Sequence, residues 1–183
     1  MRFHPRHLTN ENRRGFSLVE LIITLAIASI LITGLTVGII QVMASNSGSM
    51  THMTAVKEVE NAVYWLGRDA EMAQTINGTN ITATSNFSVA SFNASSLTMT
   101  WNNEFPYNSN NISSVTYNVA GGALQRTFTP QGGSASAIIV VPHLGSATWG
   151  YSGNFSFNIT SSVSGFRQDT ETRTIRVLAR TTP

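Results

Sequence analysis

The stretch Arg13-Arg14-Gly15-Phe16-Ser17-Leu18-Val19-Glu20 joins a basic segment to a long apolar run that contains a single acid. Of the 28 residues from Phe16 to Met43, only Glu20 is charged. As a helix that run measures about 42 Å at ~1.5 Å per residue, longer than a bilayer core of about 30 Å. It also exceeds the roughly 7–15 apolar residues of a secretory signal, which predicts a membrane helix that stays with the protein. The arginines ahead of it predict a single pass with the N-terminus inside and the C-terminal body outside. A carboxylate in such a helix costs ~2.5–3.5 kcal/mol at the centre and less toward the interface, so Glu20 is a functional candidate.

These residues resemble the N-terminus of the type IV pilin superfamily: pilins, minor pilins and the pseudopilins of type II secretion. The family pattern is a basic leader ending in Gly, then Phe, then an apolar run with Glu at its fifth position. Gly15, Phe16 and Glu20 meet it, followed by Leu21-Ile22-Ile23-Thr24-Leu25-Ala26-Ile27. The resemblance implies that a prepilin peptidase cuts between Gly15 and Phe16 and that Phe16 is N-methylated. It also implies that Glu20 pairs with the N-terminal amine of a neighbouring subunit. The implied partners are the peptidase, other pilin or pseudopilin subunits and an inner-membrane assembly platform. The implied locations are the cytoplasmic membrane and then a surface or periplasmic filament.

Many pilins close their C-terminal region with a disulfide, whereas this chain has no cysteine. Its body is expected to rest on packing, without disulfide or thiol chemistry. Many pilins also carry a proline near position 37, where this chain has Val37. Gly34 and Gly38 form a small-xxx-small pair suited to close helix packing, or to softness, since Gly costs ~1 kcal/mol in a helix. Glycine is also common in membrane helices without such a role.

The formal charge of +2 divides unevenly: residues 1–15 carry Arg2, Arg6, Arg13 and Arg14 against Glu11, and the remainder is net −1. The basic character belongs to the leader, so no nucleic-acid partner is expected through a basic patch. A length of 183 residues suits one domain with appendages. The expected divisions are a cleaved leader over 1–15, a membrane or filament-core half-helix over 16–44, an amphipathic half over 45–76, and an exported β-rich domain over 77–183.

Past a softer stretch at Ser45–Ser49, apolar residues recur at Val56, Val59, Val63, Leu66, Ala70 and Ala73, a helical stripe. Lys57, Glu58, Glu60, Arg68, Asp69 and Glu71 read as mostly off that stripe. Beyond Asn77-Gly78 the period changes to two. Leu97–Trp101, Val115–Val119 and Leu124–Phe128 alternate, with Ala120-Gly121-Gly122-Ala123 as a hairpin signal. Further strands are expected at 137–141, 147–151, 155–160 and 172–179. The expected fold is α+β and pilin-like, a long N-terminal helix packed on an antiparallel sheet. The body also resembles minor pilins and pseudopilins of the J and W types. The cues are Val115-Thr116-Tyr117, Gly121-Gly122-Ala123-Leu124-Gln125-Arg126, Trp149-Gly150-Tyr151 and Ile175-Arg176-Val177.

No catalytic constellation emerges. His52 and His143 stand alone at ligand spacing. Ser152 lacks the Gly-x-Ser-x-Gly frame, and Gly132-Gly133-Ser134 lacks a phosphate-loop lysine. Asp169 and Glu171 are the candidates for a structural calcium ion in an outer loop. Without an oxygen-rich partner set they read first as solvated charges. Trp65, Trp101 and Trp149 read as core. The sequence therefore predicts a non-enzymatic minor pilin or pseudopilin of a pilus, a type II secretion pseudopilus or a DNA-uptake filament, with no cofactor. The alternative is a stand-alone, signal-anchored surface binding protein or adhesin carrying a prepilin-type leader.

Overall fold

The computed structural model describes residues 15–81, 85–92, 94–102, 112–165 and 168–178. The leader expected over residues 1–15 lies outside them except for Gly15. The chain forms two compact units, divided between Met43 and Ala44.

Helix α1 runs from Leu18 to Met72. The serine-rich stretch does not interrupt it, because its hydroxyls bond to the preceding turn instead of competing for another conformation. Ser49 Oγ donates to the Ser45 carbonyl at 3.2 Å, and Thr51 Oγ1 to the Gly48 carbonyl at 2.9 Å. The helix ends at Met72, four residues before the expected 76. There the Gln74 amide turns to the Thr100 carbonyl at 2.9 Å, so the chain enters a sheet.

The second unit carries ten strands among its described residues, numbered in chain order. β1 (Thr75–Ile76) and β2 (Thr79–Asn80) form a small hairpin across Asn77 and Gly78, whose φ angles are 48° and 81°. Positive φ at both central residues suits the right-handed twist of the flanking strands. β4 (Leu97–Trp101), β5 (Ser113–Ala120), β6 (Ala123–Thr129) and β7 (Ser136–Val141) extend it into a six-stranded sheet of order β2-β1-β4-β5-β6-β7. Gly121 and Gly122 make the β5–β6 turn, with φ of 60° and 76°.

β8 (Leu144–Ser152), β9 (Phe155–Val163), β10 (Asp169–Val177) and β3 (Asn86–Ser91) form a second sheet of order β10-β9-β8-β3. All pairings are antiparallel. The fold class is α+β as expected, with the strands divided over two sheets where the sequence suggested one.

Period-two alternation decides which side chains go inward. Leu97, Met99 and Trp101 alternate into the core, as do Val115 and Tyr117, then Trp149 and Tyr151, then Phe155, Phe157 and Ile159. Both sheets contribute to one apolar cluster that includes Ala62, Leu66, Ala70 and Ala73 of the helical segment and its exit. Alanines on that face let the helix approach the strands closely. The buried helical row is Ala55, Glu58, Val59, Ala62, Leu66, Asp69 and Ala70. Val56 and Val63, expected on the stripe, are half-buried at its flank. Trp101 and Trp149 are buried and Trp65 partly so, as core residues.

Two expectations need correction. Glu58 and Asp69, read from sequence as off the stripe, are buried on it, because partners on the strands satisfy their carboxylates. Asp69 accepts a bidentate pair from Arg126, with Nε at 2.7 Å and Nη2 at 2.8 Å. Asp69 Oδ2 also accepts the Tyr117 hydroxyl at 2.5 Å. The Arg126 guanidinium lies over the Trp65 ring, 4.5 Å from its centroid, and 5.2 Å from that of Phe128. The second correction concerns Asp169 and Glu171, which lie in β10 and not in a loop.

Candidate functional site

The first unit offers one element to a partner. Gly15, Phe16 and Ser17 precede α1, and the Leu21 amide donates to the Ser17 carbonyl at 3.1 Å to close its first turn. Glu20 is the acid of that turn. Its position at the positive end of the helix dipole favours a carboxylate there, by ~0.3–1 kcal/mol at an exposed site.

Every apolar side chain of this segment faces outward: Phe16 is 77% exposed, and the most apolar window of the helix has none of its residues buried. Burying such residues yields ~1.5–3 kcal/mol for each large side chain, so the segment requires lipid or other helices around it. Its hydroxyls are already satisfied within the helix. Thr24 donates to the Leu21 carbonyl at 2.9 Å, Ser29 to Ala26, Thr33 to Ser29 and Thr36 to Ile32, the last three at 2.8 Å. That internal satisfaction is what an apolar surrounding demands.

Gly34 and Gly38 line a shallow apolar groove with Leu35, Ile39, Val42 and Met43. A Cβ at either glycine would meet nothing within 4 Å, so no contact inside the fold requires glycine there.

The second unit holds two buried polar clusters, around Glu58 and around Asp69. Glu58 Oε1 lies 2.6 Å from His143 Nδ1, and Glu58 Oε2 accepts the Ser161 hydroxyl at 2.7 Å. The serine therefore bonds to the carboxylate and not to the imidazole, so the hydroxyl–imidazole contact of a serine triad is not made. The cluster works as a clamp. It fixes the helix to the turn between β7 and β8, where the His143 amide also donates to Glu58 at 3.3 Å, and to β9.

In the Asp69 cluster the pKa of Tyr117 is raised, first by burial and then by the adjacent Asp69 carboxylate. That of Arg126 is also raised: burial opposes its charge, but the hydrogen bonds and charge of Asp69 prevail. Both groups hold their protons more firmly than in water, the reverse of what proton transfer near neutrality needs.

His52 lies 3.4 Å from Asp169, and Arg173 lies 3.0 Å from Glu171. The two acids considered for calcium thus each face a basic side chain. Among the described residues no three His, Cys, Asp or Glu side chains come together as a metal site would need. The sequence signal that would have located the two buried acids is a polar residue on the inward phase of a strand, which Arg126 and Ser161 both show.

The profile of the prokaryotic N-terminal methylation motif matches residues 11–36. No curated protein and no solved structure matches the chain. The motif implies processing by a prepilin peptidase and assembly with other pilins, and it points to a structural subunit. The apolar helix fits membrane anchoring. The methylation motif, leading directly into that helix, supports the reading of the chain as similar to type IV pilins at its N-terminus.

Proposed function

We propose that the protein is a non-enzymatic minor pilin or pseudopilin, built into a type IV pilus, a type II secretion pseudopilus or a DNA-uptake filament. The observation that carries this reading is a fully exposed apolar helix with Glu20 in its first turn, directly after Gly15 and Phe16. Cleavage between Gly15 and Phe16 exposes a new amine at Phe16, which is then N-methylated. The amine of one subunit and Glu20 of the next neutralise each other in an apolar filament core, where a charge-assisted pair is strong.

Before assembly the chain is anchored N-in, C-out in the cytoplasmic membrane. Residues 1–15 act as the leader, 16–44 as the membrane or core segment, 45–76 as its amphipathic continuation and exit, and 77–183 as the exported body. Gly34 and Gly38 give a neighbouring helix room to approach. An assembly platform in the inner membrane is the expected partner beside the peptidase and the other subunits. The body needs no cofactor in this role.

Mass spectrometry of the N-terminal peptide, in sheared filaments and in washed membranes, tests the reading. A chain that begins at methylated Phe16 in the filaments is the expected result. The same mature chain confined to membranes would favour a short pseudopilus or an anchored surface binder. An intact leader in both fractions would overturn the proposal.

A further inference from the structure

The second sheet turns one face to the core and the other to solvent. Trp149 and Tyr151 of β8 and Phe155, Phe157 and Ile159 of β9 are buried on the inner face. The residues between them face outward, in rows set by the strand register. One row is Thr172, Thr160 and Ser146, and the next is Thr174, Asn158 and Thr148. The row after that is Arg176, Ser156 and Gly150. Arg176 is the only charge in the three rows. Glu171 and Arg173 alternate to the opposite face of β10 and pair with each other at 3.0 Å.

The row that contains Arg176 is hollowed. Gly150 brings no side chain to it, and β3 bulges opposite that glycine. Its register runs from Phe87 against Tyr151 to Ala90 against Trp149, so Ser88 and Val89 share the place beside Gly150. A bulge re-aims side chains. Here it sets Val89 against the glycine, since a Cβ on Gly150 would lie 3.1 Å from Val89 Cγ2. The cavity left there measures about 310 Å³, lined by Ser88, Val89, Ser152, Asn154, Ser156 and Arg176 among others. No acid lines it. Among the described residues no carboxylate forms a salt bridge with Arg176.

We propose that this hollow binds a carboxylated sugar ring, the uronic acid unit of an acidic polysaccharide. One guanidinium without a competing acid suits a single negative charge, and its fork can hold both carboxylate oxygens. Sugar hydroxyls donate and accept, as do the Ser and Asn side chains around the cavity. The C–H face of the ring would meet Val89. Small-ligand sites run from about 300 to 1,000 Å³, so this one is of a size for one ring. The uncharged rows beyond Arg176 let further rings of the same chain lie along the sheet. All of these residues belong to the second unit, so the inference goes beyond the filament reading and does not depend on it.

Calorimetric titration of the detergent-solubilised full chain with oligomers of galacturonate, glucuronate and mannuronate tests the site. At least one should saturate, at least ~10-fold more tightly than acetate or the neutral oligomer of the parent hexose. Arg176→Gln should abolish that binding. Arg176→Lys should weaken it several-fold, because it keeps the charge and loses the fork. Arg173→Gln, on the opposite face, should bind as the parent does. Arg176 and Arg173 are both exposed, so the three variants should keep the parent's thermal midpoint.

Saturation by none of the three acidic oligomers would overturn the proposal. Equal affinity for the neutral oligomer would show that the carboxylate is not read, and equal affinity for acetate that the ring is not. Undiminished binding by Arg176→Gln, or an equal loss in Arg173→Gln, would place the binding elsewhere and sink the assigned site.

Discussion

Asp69 and Arg126 form a buried pair whose removal is asymmetric in cost. Taking away one partner leaves the other charged and desolvated, which costs about 3–5 kcal/mol. Asp69→Ala should lower the unfolding free energy of the detergent-solubilised chain by that amount in a urea titration. The double change Asp69→Leu with Arg126→Met should cost much less, since apolar replacement of a whole buried pair is often neutral. Equal losses in the single and double variants would show that packing around Trp65 and Phe128 matters more than the charge pair.

Tyr117 adds a pH dependence with a definite sign. Its folded pKa is raised, so the unfolded state loses the phenolic proton first. The stabilisation is complete below the unfolded value of about 10 and declines as pH rises beyond it. Tyr151 is raised by burial in the same direction. Thermal midpoints should therefore fall above about pH 10, and Tyr117→Phe should make that fall shallower. An unchanged alkaline slope in the variant would remove Tyr117 as its source.

The strands that sequence revealed and those it hid differ in length and regularity. β4, β5 and β9 were legible because each keeps a period of two against one shared core, and β6 and β8 because part of each does, from Leu124 and from Ala147 to Trp149. β3 was not, since its bulge between Phe87 and Ala90 spoils the alternation. β1 and β2, at two residues each, are too short to show any period. Glu58 and Asp69 were misplaced because a periodicity count treats every acid as outward-facing, while these two are held by strand residues far along the chain. The inward phase of Arg126, between Leu124 and Phe128, was the available clue.

The helical segment at Gly34 and Gly38 carries its own prediction. Open space around both Cβ positions means that Gly38→Leu should leave the fold intact and stiffen the helix slightly, since Leu is the better helix former. If the groove receives a neighbouring helix, the same change should reduce filament incorporation several-fold with normal membrane levels. Normal incorporation would return the glycines to ordinary membrane-helix composition.

At the level of the whole molecule, stability and assembly draw on different residues. The core cluster spans both sheets and the helical segment from Ala62 onward, whereas the methylation motif occupies residues 11–36. Glu20 is not among the residues of the body's core cluster, so Glu20→Ala should leave the melting curve of the exported body unchanged. Because the cleavage junction precedes it, processing at Gly15 and Phe16 should also continue. What the variant loses is the carboxylate that would meet a neighbour's methylated amine, and filament incorporation should drop at least ~10-fold, equivalent to about 1.4 kcal/mol. A bulky residue at Gly15 tests the same pair from the other side. It should block cleavage and keep the amine from forming, so incorporation fails with Glu20 intact. If Glu20→Ala assembles as well as the parent chain while the Gly15 variant does not, the cleaved N-terminus matters for another reason and the proposed pair is wrong.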